Sequence, residues 1–388
     1  MVDTVLELTK KLITLPSYDD GKKYEKPVSD FLISYFQKFL PQFTITPIRV
    51  SKNRYNLFIT DSNPVKLFVV DQIDTVGHIA GWRTDPLKPF VRNGRLYGLG
   101  SSDSKGNIAA FLTALRSCGP TNGLSMLWYV DEEYNFAGMK HFVASPLAKK
   151  INPENIMSID GSGLALGLGC RGLTEFDMRV NTESEHSAIK QKQGACEIFY
   201  LFLERLHNYL RSLHSEVLGM PTLNIAYIES GCNVGTDAQG RTMYSPAGNR
   251  TSNSLYAKLE VRTIPGFNFS DIITSAKNLE MELRGAQKIN IKINMLNDYA
   301  GFETNISRVK DILPIIKDNL GTARMLDLKK FGFLDVAMLQ QIYPKAAIYS
   351  FGIGTEYQAH HANEYIAIDN LQGGVKLYQD IVRAIAGS

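Results

Sequence analysis

Carboxylates and histidines follow five apolar, strand-like runs of this sequence. These runs end in or lead into VVDQID, GLGSSDSKG, WYVDEE, MSIDG and YSFGIGTEYQAHH. Together the segments supply side chains that can bind a metal ion or move a proton: Asp74, Asp103, Glu132, Glu133, Asp160, His360 and His361. Zn²⁺ accepts oxygen and imidazole ligands, and a cation relieves the repulsion between neighbouring carboxylates. The pattern therefore predicts a metal centre of the zinc type.

The adjacent pair Glu132 and Glu133 fits the division of labour that metal-assisted hydrolysis requires. Neighbouring side chains of an extended strand point to opposite faces, so both carboxylates can reach one site only if the chain turns there. One glutamate would then bind metal, while the other would take a proton from the attacking water. Taken singly, an acidic residue at a strand end more often caps the next helix or faces solvent.

The candidate residues need a sheet that brings the ends of several strands together. Strands and helices alternate from TITPIRV to NIMSID, which indicates an α/β sheet covered on both faces. In such a sheet, reactive groups gather at the carboxyl ends of the strands. From about Arg171 a smaller α+β pattern begins, and the α/β rhythm returns beyond Tyr299. We expect an α/β domain over residues 1–170 and 299–388, with residues 171–298 inserted.

Composition excludes several classes of protein. The 388 residues carry a formal net charge of only +3 with scattered basic residues, which argues against nucleic-acid or membrane-surface binding and favours small-molecule partners. Cys118, Cys170, Cys196 and Cys232 show no CxxC spacing, so we expect buried reduced thiols in a cytoplasmic protein. No uncharged stretch reaches the ~18 residues that a membrane span requires, so neither signal peptide nor anchor is expected.

The ordered motifs resemble those of the co-catalytic zinc exopeptidases and deacylases, which include acetylornithine deacetylase, succinyl-diaminopimelate desuccinylase and glutamate carboxypeptidase. QIDTV and the later GRLYGLGSSDSKGNIAA look like the family signature H-x-D-x-V … G-R-G-x-x-D-x-K-G. DEE, the acidic strand end at Asp160, and AHHANEY look like its remaining site motifs. The resemblance runs nearly end to end. It implies a catalytic α/β domain with a mixed sheet between helices, and an inserted α+β lid and dimerisation domain that would form a homodimer.

The resemblance also implies a metal-binding role for residues that match the family motifs. Asp103 would bridge two metal ions. Glu133 and His360 would complete one position, and Asp160 would serve the other. His361, the neighbour of the matched histidine, is expected to lie around the site or at the surface.

Catalytic and substrate-binding roles follow from the same resemblance. Glu132 would be the general base, and Asp74 would orient the ligand two residues before it. His186, in ESEHSA, would reach a neighbouring active site across a dimer and help to hold the oxyanion. Asn249 would contact substrate, and Arg262 would grip a substrate carboxylate through two parallel hydrogen bonds. From its strand pattern alone, Arg262 reads as a residue that faces water.

The chain departs from the family pattern at Gln72, which stands where the family has its first metal-binding histidine. An amide oxygen is neutral and weakly basic, and it does not match imidazole as a zinc ligand. Loss of even an outer-shell partner typically costs ~10–100-fold in metal affinity, so the position shared by Asp103 and Asp160 should be weakened at least that much. The position of Glu133 and His360 keeps three protein ligands. One tight zinc ion is expected, with the second weak or absent; cobalt or manganese could replace zinc.

Two functions stay open at this point. In the first, the protein hydrolyses an amide bond in an N-acyl amino acid or small peptide that bears a free carboxylate, and Glu132 passes a proton to the leaving amine. In the second, it is a divergent homologue that binds a small molecule without hydrolysis. The retained Glu132, His360 and His186 favour the first. A site for a harder ion, built from Asp71 and Gln72, would need a bulge because these side chains point to opposite faces.

Overall fold

The computed structural model describes residues 4–19, 21, 24–62, 64–161, 163–245 and 248–387. Within these residues the α-helices, α1 to α9 in chain order, are Val5–Ile13, Lys26–Phe39, Lys105–Cys118, Ala137–Ala144, Ala195–Arg211, Phe269–Arg284, Ile312–Leu320, Met338–Ile342 and Ile368–Ala386. The strands, β1 to β18, are Thr44–Ser51, Arg54–Thr60, Leu67–Gln72, Phe90–Arg92, Arg95–Tyr97, Leu124–Tyr129, Asn155–Ser158, Ala165–Gly167, Gly169–Cys170, Gly172–Thr182, Thr222–Thr236, Thr242–Ser245, Ser254–Thr263, Ile289–Tyr299, Phe302–Glu303, Arg324–Met325, Ala347–Gly352 and Tyr365–Ala367.

The chain folds as two compact units. The first unit contains Met1–Gly169, Glu303–Asp327 and Asp335–Ser388, and the second contains Cys170–Phe302 and Leu328–Leu334. The second unit thus begins one residue before the expected insertion and extends beyond residue 298. It also takes in residues 328–334, which the sequence pattern had left in the larger domain. That short segment returns to the second unit through hydrogen bonds, such as the one that Arg171 donates to the carbonyl of Phe331.

An eight-stranded mixed sheet forms the centre of the first unit. Its order is β1-β2-β6-β3-β7-β17-β8-β16. Strands β6, β3, β7 and β17 are parallel neighbours, whereas β2 is antiparallel to β1 and β6, and β8 is antiparallel to β17. All residues of β3, β6 and β17 are buried. Such continuous apolar strands are typical of parallel sheets with both faces covered.

Side-chain alternation in β3 shows that helices cover both faces of this sheet. Leu67 and Val69 belong to a core cluster that includes residues of α1, α2, α3 and α9. Phe68 points the other way and lies against Phe142 of α4, with ring centroids 5.6 Å apart. The predicted α/β fold, with a mixed sheet between helices, is confirmed. Because β3, β6 and β7 are parallel neighbours, the loops that follow them start at the same edge of the sheet.

The second unit is an antiparallel sheet with two helices on one face. Its strand order is β12-β11-β13-β10-β14. Phe176 and Met178 of β10 face the core shared with α5 and α6. Strand β11 was not predicted: its apolar residues Ile225 and Tyr227 are exposed, and a register shift between them breaks the alternation on which strand prediction relies.

The expectation for the cysteines is met only in part. Cys118, Cys170 and Cys232 are buried, but Cys196 is exposed at the start of α5, so that part of the cysteine prediction is wrong. Within the described residues, no helix combines the length and apolar character needed to cross a membrane.

Candidate metal centre

Three side chains meet in the loops at the carboxyl edge of the parallel strands. Asp103, Glu133 and His360 each offer one ligand atom, and these atoms lie within 4.8 Å of one another. His360 Nε2 is 2.9 Å from Glu133 Oε2 and 3.5 Å from Asp103 Oδ2. The second oxygen of Glu133, Oε1, is buried and has no hydrogen-bond partner among the described residues. Two carboxylates and one imidazole with an unsatisfied oxygen form a donor set that fits a cation such as Zn²⁺.

The loop that carries Asp103 is held by a buried glutamate. Glu364 Oε1 accepts hydrogen bonds from the backbone N–H groups of Ser102 (2.7 Å) and Asp103 (3.0 Å), and Oε2 accepts one from Gly100 (2.8 Å). Sequence reasoning gave Glu364 no role, although it lies in the AHHANEY motif. His361, from the same motif, is exposed, as expected of a residue outside the cluster.

A turn after β6 presents Glu132 and Glu133 together. Asp131, the residue before them, has a left-handed backbone with φ +63°. Asp74 accepts hydrogen bonds from the backbone N–H groups of Glu132 through Oδ1 (3.2 Å) and of Glu133 through Oδ2 (3.1 Å). Asp74 was expected to orient the side chain at position 72. Its observed contacts instead hold the backbone of the turn that carries the two glutamates.

Gln72 points at the carboxylate that was expected to bridge two ions. Its Nε2 donates a hydrogen bond of 2.9 Å to Asp103 Oδ1, while its own Oε1 is buried without a partner among the described residues. In this arrangement the amide nitrogen, a donor, faces the carboxylate oxygen, an acceptor. Asp71 offers no replacement ligand, because its oxygens accept from Gln72 N (3.0 Å) and Ser104 Oγ (2.8 Å).

Negative charge is concentrated around the cluster. Burial raises the pKa of Asp103 to about 7; repulsion from Glu133 adds to this rise, and His360 opposes it. Burial, followed by the charge of Asp103, raises the pKa of Asp160, which lies two residues beyond β7 and outside the three-residue cluster. The hydrogen bond with Glu133 raises the pKa of His360 to about 9. Without a cation, these groups therefore hold protons more strongly than they do in water.

Asp335 adds a carboxylate beside the candidate base. It is buried, its Oδ1 accepts a hydrogen bond of 2.7 Å from the Tyr129 hydroxyl, and its Oδ2 has no partner among the described residues. Burial raises the pKa of Glu132, and Asp335 makes the largest charge contribution to that rise. An aspartate inside the apolar run FLDVAML was the available signal of a functional position.

The remaining predicted residues lie in the second unit. The backbone N–H of Ser187, next to His186, donates a 2.7 Å hydrogen bond to the carbonyl of Asn249, so the two candidate segments are in contact. Arg262 Nε lies 2.7 Å from Glu260 Oε1 on the same face of β13. The guanidinium thus has a carboxylate partner within its own strand, and its side chain is about one-third exposed.

The comparison with known sequences agrees with this geometry. The sequence profile of the peptidase family M20/M25/M40 matches residues 71–384. The chain belongs to this family. An acetylornithine deacetylase of Proteus mirabilis is 26% identical over 285 residues, which cover 69% of this chain and 69% of that protein. A peptidase M20 domain-containing protein of Schizosaccharomyces pombe is 26% identical over 401 residues, covering 98% of this chain and 84% of the relative.

Solved structures show the same M20 fold. An M20 family metallo-carboxypeptidase from Sulfolobus solfataricus matches with a TM-score of 0.72 at 16% identity and 99% coverage of both chains. Aminopeptidase PepT from Bacillus cereus matches with a TM-score of 0.73 at 15% identity and 98% coverage of both. A dinuclear metal binding peptidase of Bacillus subtilis matches with a TM-score of 0.67 at 10% identity, over 97% of this chain and 96% of that one. The family resemblance predicted from the motifs is confirmed, and the M20 family is metal-dependent.

Replacement of Asp74 tests how the turn is held. Asn in place of Asp74 leaves only one acceptor oxygen for two N–H donors. We expect Asp74→Asn to lower zinc affinity ~10-fold, because the ligand Glu133 is then held less firmly. The same substitution should lower the free energy of unfolding by ~1–3 kcal/mol. Calorimetric zinc titration and chemical unfolding measure the two effects. Asp85→Asn is the matched control, because Asp85 also accepts a backbone N–H (Leu87, 3.0 Å) but is exposed. Equal effects of both variants would contradict this role.

Metal removal should make stability depend on pH with a defined sign. The raised pKa values of Asp103 and His360 mean that their stabilising contribution is present at low pH and is lost as pH rises through about 7 and about 9. We therefore expect zinc to stabilise the protein more at about pH 8 than at about pH 5, because metal binding needs the deprotonated ligands. Chemical unfolding of EDTA-treated and zinc-saturated protein measures the difference. An equal gain at both pH values would refute the assignment.

Proposed function

We propose that this M20 family member is a metal-dependent hydrolase of an amide bond in an N-acyl amino acid or small peptide with a free carboxylate. The proposal is carried by one observation: Glu132 directly precedes Glu133, a member of the cluster with Asp103 and His360, on a turn held by Asp74. The candidate base and one ligand of the cluster are thereby fixed by the same hydrogen-bonding residue, Asp74. Relatives named as deacetylases, carboxypeptidases and aminopeptidases support an amide substrate.

The chain's own residues divide the chemistry. Asp103, Glu133 and His360 would hold one ion, with Zn²⁺ preferred and Co²⁺ or Mn²⁺ as substitutes. When bound, such an ion supplies Lewis-acid chemistry that makes water acidic and polarises a carbonyl group. Glu132, whose pKa burial and neighbouring carboxylates raise, is suited to accept the proton of the attacking water. The same carboxyl group then donates that proton to the leaving amine nitrogen.

We further propose that Gln72 occupies the place of a lost metal ligand, so that one ion suffices. The hydrogen bond from its Nε2 to Asp103 Oδ1 supports this, because an amide donor takes up the oxygen that a second ion would need. The same contact favours the alternative function, a homologue that binds a small molecule without hydrolysis. A turnover assay decides between the two functions, and the presence of Glu132 beside the ligands Glu133 and His360 favours hydrolysis.

Substrate and partner assignments extend the proposal to the second unit. Arg262 would bind the substrate carboxylate, which must then compete with Glu260 for the guanidinium. Asn249 would contact substrate, and His186 would hold the oxyanion at the site of a second copy in a homodimer formed through this unit. Free cysteines support a reducing, cytoplasmic setting.

Metal stoichiometry tests the role of Gln72. We expect one tightly bound ion per native chain and two in Gln72→His, because imidazole supplies the missing ligand and removes the donor from Asp103. Elemental analysis across a zinc titration gives the counts. Gln72→Ala is the control, since it removes the donor without adding a ligand and should still bind one ion tightly. Two tight ions in the native protein would overturn the assignment, and none would favour the binding-protein alternative.

A substrate series tests the proposed clamp. Arg262→Ala should raise KM ~10–100-fold for N-acetyl, N-succinyl and dipeptide substrates, since a charge-assisted hydrogen bond contributes ~1.5–3 kcal/mol. The matching carboxamides should bind native protein and variant equally weakly. Arg205→Ala is the control, because Arg205 also pairs with a glutamate, Glu282, in the second unit. A carboxylate preference that survives Arg262→Ala would remove Arg262 from the substrate site. Saturable binding without turnover of any substrate would establish the alternative function.

A further inference from the structure

We infer that Arg54 is a positioning residue that fixes the turn of Glu132 and Glu133 by holding Asp131, the residue before them. This turn carries both the candidate base and a metal ligand, so its orientation determines where two reactive side chains lie. The kinetic consequence rests on the proposed function, whereas the consequence for metal binding does not.

A buried ion cluster joins three segments of the chain at this point. Arg54, the first residue of β2, donates from Nε to Glu25 Oε2 (2.9 Å), and from Nη2 both to Glu25 Oε1 and to Asp131 Oδ1 (2.9 Å). The side chains of Arg54, Glu25 and Asp131 are 11%, 1% and 3% exposed. The Tyr24 ring covers the guanidinium at 4.8 Å. A buried bidentate pair of this kind is geometrically specific, unlike an ion pair on the surface.

Asp131 is the member of the cluster that can orient the turn. Its Oδ1 accepts a hydrogen bond from Arg54, and its Oδ2 accepts one from the backbone N–H of Ala137 (3.2 Å). Both oxygens of Asp131 therefore have hydrogen-bond partners. Its left-handed φ of +63° marks the point where the chain leaves the direction of β6. A residue other than glycine persists in this conformation when its surroundings hold it there.

Other contacts fix the two ends of the turn. The orientation of the turn between those ends is set by Asp131 and Asp74. Asn56 closes the base of the turn: its Oδ1 accepts from Val130 N (3.2 Å) and its Nδ2 donates to Gly138 O (2.7 Å). Asp74 accepts the N–H groups of the two glutamates from one side. The Arg54 cluster holds the preceding residue, so the glutamates lie between two anchors.

One guanidinium in this cluster compensates two buried carboxylates. If Arg54 is replaced by a neutral side chain, Glu25 and Asp131 are left close together without a cation, and a buried unpaired charge is strongly unfavourable. The two carboxylates then repel one another, and their separation alters the contacts of Asp131. Lysine restores the charge but not the planar fork that reaches both partners, so it should rescue the turn only in part.

Cobalt binding gives a readout that does not depend on turnover. For Arg54→Met we expect Co²⁺ affinity to fall ~10–100-fold and the visible Co²⁺ spectrum to change, because residues that hold the ligand-bearing turn orient the metal ligands. Arg54→Lys should fall about midway on a logarithmic scale between native protein and Arg54→Met. Leu377→Ala, a core truncation in α9, is the control for lost stability, and at a temperature well below its Tm it should keep the native affinity and spectrum.

Kinetic constants separate positioning from general stability. With Co²⁺ saturating, kcat of Arg54→Met should fall ~10–100-fold while KM changes less than about 3-fold, since a displaced base affects the transition state more than binding.

Native Co²⁺ affinity, spectrum and kcat in Arg54→Met would overturn the inference, as would equal changes in Leu377→Ala. If native protein shows no turnover but Arg54→Met alters the Co²⁺ spectrum, the positioning role stands and the proposed hydrolysis fails. If Arg54→Met does not fold, Arg54→Lys decides the positioning role. Native Co²⁺ affinity and spectrum in Arg54→Lys would overturn that role, and a partial loss of Co²⁺ affinity would support it.

Discussion

The burial of negative charge at one edge of a parallel sheet is the constraint on which the rest of this structure depends. Strands β6, β3 and β7 are parallel neighbours, so the loops that follow them leave the sheet at one edge. Burial is the largest cause of the raised pKa values of Asp71, Asp74, Asp103 and Asp160. An ionised group without a partner in such a place costs several kcal/mol, so the loops are organised by what compensates each carboxylate.

The hydrogen-bond partners of each buried carboxylate show whether it holds a loop in place or faces the candidate metal site. Glu364 accepts three backbone N–H groups and Asp74 accepts two, while Asp71 is bound by one N–H and a serine hydroxyl. These donors are permanent parts of the fold, so the three acids hold loops in place. Glu133 has only the side chain of His360, which is itself half-exposed, and one of its oxygens has no described partner. Groups with such incomplete, removable partners are the ones that can accept a cation.

The sequence alone was enough to predict elements with a regular apolar pattern and polar residues that directly follow a strand. The apolar runs before Gln72 and Glu132 predicted strands, and Asp103 and His360 could be expected at the ends of their segments. Glu364 could not be assigned in the same way, because its partners lie more than 260 residues away in the chain and leave no local pattern. Strand β11 escaped prediction for a different reason, since its apolar residues face solvent and a register shift interrupts them.

In the proposed function, the hydrogen bond between Gln72 and Asp103 would disfavour a second ion. Asp103 uses Oδ1 for the amide of Gln72 and turns Oδ2 towards His360, so one oxygen has a donor on a buried strand and the other faces the cluster. A cation at Oδ1 must first displace a hydrogen bond to a charged group, which contributes ~1.5–3 kcal/mol. This corresponds to ~10–100-fold weaker binding. The penalty adds to the weak basicity of the amide oxygen, whereas the position at Oδ2 carries neither cost. Under the proposed function, the contact of Gln72 would therefore make the two metal positions beside Asp103 unequal.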